Sequence, residues 1–180
     1  MDEANSLPPG TRFGRYLVVR RMGLGGMGSV YEATHIELNK RVALKVLNLA
    51  SATPEAQQRF AREGKAASRI HHPNVVDVID VGTEQGMPFL VMEYLEGEDL
   101  AAYLKREGRI EIPVLLELLL PVIAAVGAAH EEQVVHRDLK PENIFLCQRR
   151  NGRIVPKVLD FGISKLMDEG ELALTRTTAL

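Results

Sequence analysis

The feature that most constrains this chain is one dipeptide, Asn151-Gly152, which stands between two apolar segments within residues 144–159. Asn-Gly favours a two-residue type I′ turn, so the two segments are predicted to pair as a β-hairpin. With the dipeptide at the centre of the turn, Asn143 lies opposite Asp160 at the open end of the hairpin. The hairpin therefore places an amide and a carboxylate side by side, although they are 17 residues apart in sequence.

This predicted pair has the chemistry of a hard-cation site, because carboxylate and amide oxygens are ligands suited to Mg²⁺. In the same register Pro156 would oppose Cys147. Proline has no N–H to donate to the ladder, so a bulge at Pro156 would shift the register. A purely structural hairpin is the alternative, but it leaves the polar residues at the mouth of the hairpin without an explanation.

A polar loop precedes the hairpin, at residues 136–143. It lies between Val134-Val135 and the apolar run 144–146, and both runs are predicted to be strands because they are short and β-branched or aromatic. In sequence order the loop reads His136, Arg137, Asp138, Leu139, Lys140, Pro141, Glu142 and Asn143. Two carboxylates, an amide and three basic side chains are thus concentrated in one tight loop.

A glycine cluster lies early in the chain, with glycines at positions 23, 25 and 28. Glycines let the backbone approach a phosphate closely, with N–H groups pointing at its oxygens. A dinucleotide-binding fold needs a helix directly after such glycines. Residues 29–33 are instead predicted to form a strand. This pattern favours a strand–loop–strand hairpin that covers a bound nucleotide. A plain hairpin turn is the alternative.

A lysine and a glutamate are predicted to form an ion pair. In the strand 41–47 side chains alternate between two faces, and Lys45 shares its face with Ala43. In the helix that follows, Glu63 lies on the inward stripe with Phe60 and Ala67. An inward carboxylate needs a partner, and Lys45 supplies the opposite charge. An ordinary exposed Glu63 is the alternative.

The order of elements predicts an α+β fold. The first part holds strands within 13–33, 41–47, 75–81 and 88–94 and one helix at about 54–70. The second part holds helices at 99–106 and 113–131, so two lobes are expected, with their boundary near 93–97. The predicted division is a flexible lead-in at 1–12, a first lobe at 13–95 and a second lobe at 96–180.

Composition indicates a soluble globular protein, with 46% apolar residues, 26% charged residues and a net charge of −2. This balance gives no reason to expect nucleic-acid binding. A single cysteine, Cys147, fits a reducing compartment, and residues 1–11 lack the pattern of a signal peptide, so we expect a cytoplasmic protein. The apolar window 112–129 is interrupted by Glu117 and Pro121 and is expected to be a buried core helix rather than a membrane span.

Four signatures in order resemble the protein kinase family, over roughly Tyr16 to the C-terminus. They are Gly23-x-Gly25-x-x-Gly28-x-Val30, Val42-Ala43-Leu44-Lys45, His136-Arg137-Asp138 through Asn143, and Asp160-Phe161-Gly162. The glycine loop is similar to that of bacterial serine/threonine kinases of eukaryotic type, and Lys140 is the serine/threonine form of the catalytic loop. The resemblance implies a bilobal kinase fold, with an antiparallel N-lobe and a partial, mainly helical C-lobe.

The resemblance also implies a role for each matching residue, with ATP and Mg²⁺ as cofactors. Asp138 would orient the substrate hydroxyl and accept its proton, and Lys140 would neutralise charge on the γ-phosphoryl group. Asn143 and Asp160 would hold Mg²⁺. His136 and Phe161 would be packing residues.

Further residues would surround the nucleotide. Lys45, braced by Glu63, would hold the α- and β-phosphates. Met92 resembles the gatekeeper, and Glu93 and Leu95 would give backbone hydrogen bonds to adenine. Asp99 would lie near the ribose. The glycine loop and the adenine sandwich comprise Met22, Gly23, Leu24, Gly25, Gly26, Met27, Gly28, Ser29, Val30, Ala43 and Phe145.

Two functional readings follow. One is a catalytic domain that phosphorylates serine and threonine residues of proteins. Thr175, Thr177 or Thr178 would be its activating phosphorylation site, and Arg137 would bind the phosphate group. The other is a non-catalytic nucleotide-binding or interaction module, because residues 1–180 contain no Ala-Pro-Glu signature. An incomplete second lobe is expected to expose helix 113–131, to provide a surface for self-association and to leave activity weak.

Overall fold

The computed structural model describes residues 6–25, 28–47, 53–149 and 152–161, without the side chains of Glu55, Ala56, Arg59 and Glu63. The chain forms two compact units. The first comprises Met1–Ser68 and Asp77–Leu95, and the second comprises Arg69–Val76 and Glu96–Leu180.

The first unit is built on a six-stranded antiparallel sheet in the order β1-β2-β3-β4-β6-β5. Its strands are β1 Arg12–Phe13, β2 Tyr16–Gly25, β3 Gly28–His35, β4 Lys40–Leu47, β5 Val78–Glu84 and β6 Met87–Glu93. The strands alternate as predicted, because Val42, Leu44 and Val46 enter the apolar core on one face of the sheet. Ala43 and Lys45 therefore belong to the opposite face.

One helix accompanies this sheet, α1 Pro54–Ala67, and it contacts β5 and β6. Gly64 lies where the helix meets these strands. A Cβ atom on Gly64 would lie 3.0 Å from Val81 Cγ2 and 3.1 Å from Leu90 Cδ1. The absence of a side chain at this glycine thus lets α1 pack closely on the sheet.

Over its described residues, the second unit holds a three-stranded antiparallel sheet in the order β7-β8-β9, two helices and a 3-10 turn. The elements are β7 Gly97–Asp99, α2 Leu100–Glu107, α3 Ile112–Glu131, the 3-10 turn Pro141–Asn143, β8 Ile144–Gln148 and β9 Ile154–Val158. Asp99 is the N-cap of α2, where its carboxylate accepts a hydrogen bond from the Ala102 N–H at 2.8 Å.

The predicted register of the β8–β9 hairpin is wrong by one residue. Ile144 pairs with Val158, and Leu146 rather than Cys147 pairs with Pro156. The turn is longer than predicted, because the Arg149 N–H donates to the Arg153 carbonyl and three residues lie between them. Gly152 has a φ of 77°, which is typical of a three-residue hairpin loop with glycine in the left-handed region.

The segment 69–76, which the sequence assigned to the first lobe, groups with the second unit. Its predicted strand at 75–81 begins only at Val78. The reason is that the Val76 N–H donates to Val158 O at 3.0 Å and the buried Lys157 ammonium donates to Val75 O at 3.0 Å. These bonds attach the segment to β9.

Two other expectations differ from the structure. Val134-Val135 is not a strand, because the Val134 N–H donates to Ala129 O and closes the end of α3. The expected flexible lead-in is bonded to the first unit over its described part. The Leu7 N–H donates to the Tyr31 hydroxyl at 3.1 Å, and the Gly10 N–H donates to Val18 O at 2.8 Å.

Helix α3 is not the buried core helix that its composition suggested. Leu118, Val122, Ala125 and Ala129 form a buried face, and the helix contacts β9. The other face is exposed, with Leu120 at 59% and Ile123 at 64% of their full exposure. By length and composition α3 could cross a membrane, but such a helix is weak evidence for a membrane span. The expectation that this helix exposes an apolar surface is thus confirmed.

Candidate active site

The polar loop of the second unit holds Asp138 between two neighbouring side chains. The Lys140 ammonium lies 3.0 Å from Asp138 Oδ2. The Asn143 amide donates to the backbone oxygen of Asp138 at 2.8 Å and to its Oδ2 at 3.3 Å. The 3-10 turn between these residues brings Asn143 back over the loop. A carboxylate, an ammonium and an amide thus converge within the six residues 138–143.

His136 is a buried residue beneath this loop. Its Nε2 lies 2.7 Å from the Leu159 carbonyl, which can only accept, so Nε2 carries a proton. Its Nδ1 accepts from the Asp138 N–H at 3.3 Å. The ring also packs on Phe161, with centroids 4.9 Å apart. His136 therefore positions the Asp138 backbone and the end of β9, in agreement with the packing role expected for both aromatic side chains.

Two residues of the site have left-handed backbone conformations. Arg137 has a φ of 64° and Asp160 a φ of 50°. Such conformations are uncommon for residues other than glycine, and they cluster at functional sites. One of these residues is directly before Asp138, and the other is the second residue after β9.

The electrostatics of the loop favour a permanently charged Lys140. The hydrogen bond to Asp138 and the charge of that carboxylate raise the pKa of Lys140, and Glu142 and Asp160 raise it further. A raised lysine pKa keeps the ammonium charged at neutral pH. Among these contributions to the Lys140 pKa, that of Asp138 is the largest and that of Asp160 the smallest.

Asn143 and Asp160 are the predicted metal ligands. The hairpin register places Asn143 opposite Leu159, and the Leu159 N–H donates to Asn143 O at 2.9 Å. Asp160, the predicted partner of Asn143, therefore lies one residue beyond the observed partner. Because Asn143 uses its Nδ2 on Asp138, its Oδ1 is the atom suited to a cation. Among the described residues no cluster of three or more His, Cys, Asp or Glu side chains is present. One carboxylate and one amide oxygen fit Mg²⁺, which retains several waters.

Asp99 and Phe145 are neighbours in the same unit. They are paired across β7 and β8. Sequence reasoning assigned Asp99 to the ribose and missed its capping role in α2. An acidic residue directly before a helix is a recognised N-cap signal and could have revealed this role.

The first unit contains the predicted glycine hairpin. The chain runs from β2 into β3, with Gly23 opposite Val30 and Gly25 opposite Gly28. A Cβ atom on Gly28 would lie 2.1 Å from the Val46 carbonyl oxygen, so only glycine fits there. Met22 and Leu24 are exposed. Gly26 and Met27, at the tip of the predicted loop, lie outside the described residues.

The predicted adenine and phosphate residues share one face of the first sheet. Val30 is paired with Lys45, and Ala43 is paired with Met92. Ala43 and Met92 are both buried. Val30 precedes the core residue Tyr31 and therefore points to the opposite face, beside Lys45 and Ala43. The side chain of Glu63 is outside the described part of α1, so its ion pair with Lys45 stays a prediction.

The chain leaves β6 through the residues predicted to bind adenine. The Glu93 N–H donates to Asp77 O at 3.0 Å, and the Glu93 carboxylate accepts from the Asp77 N–H at 2.9 Å. Glu93 is thus fixed at the end of the strand, directly before Tyr94 and Leu95. Gly162 and the three candidate phosphorylation sites Thr175, Thr177 and Thr178 lie outside the described residues.

Comparisons with known proteins agree with this arrangement. A sequence model of the family described as protein kinase domain matches residues 16–179. The chain is 42% identical to serine/threonine-protein kinase Pkn1 of Myxococcus xanthus over 167 residues, which cover 92% of the chain and 24% of that protein. It is 38% identical to serine/threonine-protein kinase PrkC of Bacillus subtilis, covering 91% of the chain and 25% of that protein.

The fold is also similar to solved kinase structures. The PknI kinase domain of Mycobacterium tuberculosis matches with a TM-score of 0.78 and 32% identity, covering 89% of the chain and 64% of that domain. This likeness confirms the predicted α+β kinase fold. The chain spans about a quarter of the length of these curated relatives and less than two thirds of the solved PknI domain.

Proposed function

Because the chain belongs to the protein kinase family, we propose that it supports ATP-dependent phosphoryl transfer to serine and threonine hydroxyls of proteins. The observation that carries this proposal is the position of Asp138. Its carboxylate is held by Lys140 at 3.0 Å and its backbone by Asn143 at 2.8 Å. A carboxylate fixed in this way can orient a hydroxyl group and accept its proton as the new P–O bond forms.

Residues of the second unit would carry out the chemical step. Asp138 accepts the proton of the attacking hydroxyl, and Lys140 compensates negative charge on the transferred γ-phosphoryl group. Asn143 and Asp160 would hold Mg²⁺, and the bound ion would neutralise negative charge on the phosphates. The hydrogen bonds of Asn143 to Asp138 link the two tasks, because one side chain then positions both the base and a metal ligand.

The first unit would hold the nucleotide. The backbone of the glycine hairpin and the ammonium of Lys45 are suited to phosphate oxygens. Val30, Ala43 and Met92 offer apolar surface for adenine, and backbone groups of Glu93 and Leu95 would bind its polar edge. Since the Glu93 N–H is used by Asp77, the acceptor for adenine at this residue would be its carbonyl oxygen.

The proposal is tested by incubating the chain with γ-labelled ATP, Mg²⁺ and a mixed serine/threonine peptide substrate. Slow transfer is expected, because the chain spans 64% of the solved PknI domain. Transfer should require Mg²⁺ and should disappear in Asp138→Asn, which keeps the shape of the side chain but removes the base. Transfer that persists at the same rate in Asp138→Asn would contradict the assigned role of Asp138.

A second candidate is a non-catalytic nucleotide-binding or interaction module. The exposed apolar face of α3, with Leu120 and Ile123, favours it because such faces mark interaction sites. Magnesium-dependent binding of ATP without any transfer would select this candidate over the first.

A further inference from the structure

A buried carboxylate in the first unit takes no part in the proposed chemistry. Glu32 is only 7% exposed, in the middle of β3. It is paired with Arg20 in β2 and with Ala43 in β4, and it is two residues from Val30. Residues two apart in a strand, and directly opposite residues in neighbouring strands, share one face. Glu32 therefore belongs to the same sheet face as the proposed adenine residues Val30 and Ala43.

Two arginines satisfy this carboxylate. Arg20 Nε donates to Glu32 Oε2 at 2.8 Å, and Arg41 Nε donates to Glu32 Oε1 at 3.0 Å. The hydrogen bond and charge of Glu32 raise the pKa of Arg20. The register of β2 is irregular between Val18 and Arg20 and again between Arg21 and Gly23. Such irregularities re-aim side chains, and here they flank the arginine that reaches Glu32.

The same groups surround Tyr94, the residue directly after β6. The guanidinium carbon of Arg41 lies 4.0 Å from the centre of the Tyr94 ring. The Tyr94 hydroxyl is 3.4 Å from Arg20 Nη2 and 3.5 Å from Glu32 Oε2. The carboxylate of Glu32 thus connects β2, β3 and β4 to the aromatic side chain that follows β6.

Tyr94 lies within the segment proposed to bind adenine. It lies between Glu93 and Leu95, whose backbone groups are the proposed partners of adenine. Tyr94 follows the last residue of β6, so its backbone is outside the strand. Holding its ring between charged groups restricts the φ and ψ torsions of Tyr94, and so the orientation of the peptide groups on either side. Restricting a binding segment before the ligand arrives lowers the entropy cost of binding.

We propose that the Glu32 cluster, defined as Arg20, Glu32, Arg41 and Tyr94, is a positioning device that presents the backbone of residues 93–95 to adenine. This inference rests on the proposed nucleotide-binding function. The cluster acts through Tyr94 and does not touch phosphate. Its loss should therefore weaken recognition of the base and leave recognition of phosphate intact.

The test is a set of calorimetric titrations of the 180-residue chain with three ligands. The ligands are ATP with Mg²⁺, adenosine, and inorganic tripolyphosphate with Mg²⁺. The variants are Glu32→Gln, Tyr94→Leu and the double variant, and Arg41→Gln is added because that side chain is half exposed and tolerates change. Tyr16→Phe is the control, since it removes a hydroxyl that bonds Asp80 from the opposite, core-facing side of the same sheet.

In Glu32→Gln and Arg41→Gln, binding of ATP and adenosine should weaken about threefold to tenfold, the range that corresponds to a coupling near 1 kcal/mol. Binding of tripolyphosphate should not change. The double variant should bind adenosine no more weakly than Tyr94→Leu alone, because Glu32 acts through Tyr94. Tyr16→Phe should leave all three affinities as in the wild type.

Three results would overturn the inference. One is an equal loss for all three ligands, which indicates a general structural role. Another is unchanged adenosine affinity in both Glu32→Gln and Arg41→Gln. The third is a double variant whose losses multiply, since Glu32 would then act independently of Tyr94. A wild-type chain that binds neither ATP nor adenosine would instead refute the proposed function, and the inference with it.

Discussion

Two helical glycines provide a direct test of how tightly α1 packs on the first sheet. Gly64 lies within α1 and Gly127 within α3. A Cβ atom on Gly64 would lie 3.0 Å from Val81 Cγ2 and 3.1 Å from Leu90 Cδ1, whereas a Cβ atom on Gly127 would have no atom within 4 Å. Replacing each glycine with alanine therefore makes the same chemical change in two different surroundings.

The expected magnitudes follow from these distances. Alanine is favoured over glycine in a helix by about 1 kcal/mol, and both variants gain this amount. In Gly64→Ala the gain is opposed by overpacking, which costs about 1–3 kcal/mol. Val81 is β-branched with a stiff side chain, and Leu90 is almost fully buried, so neither can move away easily. Gly64→Ala should thus destabilise the first unit by about 1 kcal/mol, and Gly127→Ala should stabilise the second by about 1 kcal/mol.

The assay is urea unfolding followed by circular dichroism, with the two units fitted as separate transitions where they are resolved. The difference between the two variants is the informative quantity, because the helix propensity cancels. A Gly64→Ala variant that is stabilised as much as Gly127→Ala would refute the close contact between α1 and the sheet.

Three further predictions concern stability and solubility. Burial and the hydrogen bond to Asp80 raise the pKa of Tyr16, so the folded chain retains a proton that the unfolded chain releases near pH 10. The free energy of unfolding should therefore fall above about pH 10, by up to about 1.4 kcal/mol per pH unit. In urea titrations, Tyr16→Phe should reduce this slope. Gly97→Ala should destabilise the second unit by about 2 kcal/mol or more, because Gly97 has a φ of 144° and an added Cβ atom would lie 2.0 Å from Leu146 O. Gly108 has a φ of 73°, but an added Cβ atom would have no atom within 4 Å. Gly108→Ala should therefore destabilise the chain less in the same assay. Leu120→Glu on the exposed face of α3 should change stability by less than about 0.5 kcal/mol and reduce self-association in light scattering, whereas Leu118→Glu on the buried face should unfold the helix.

The sequence predicts the features that depend on local periodicity. The alternation around Lys45 identifies the core face of β4, and the strand after Gly28 distinguishes the glycine hairpin from a dinucleotide-binding loop. The polar loop around Asp138 is also local, because the 3-10 turn joins residues only a few positions apart. Each of these features needs no knowledge of how distant segments pair.

The features that the sequence does not predict depend on distant pairing. The Asn-Gly dipeptide predicted a two-residue turn. The observed turn is longer, so Asn143 lies opposite Leu159 instead of Asp160. Helix α3 is apolar on every side, so its sequence could not indicate which face lacks a partner. The Glu32 cluster depends on irregular pairing around Arg20, which leaves no signal in the sequence.

The central claim is that Asp160 and Asn143 hold Mg²⁺ for a nucleotide bound by this chain. Calorimetric titration of ATP, with and without Mg²⁺, into the wild type, Asp160→Asn and a control variant tests it most directly. Glu131→Gln is the control, because it removes one exposed carboxylate from the end of α3. The account predicts that Mg²⁺ tightens ATP binding in the wild type and the control, and that Asp160→Asn loses this effect. Binding of ATP that responds to Mg²⁺ equally in Asp160→Asn and the wild type, or no binding of ATP by the wild type, would contradict it.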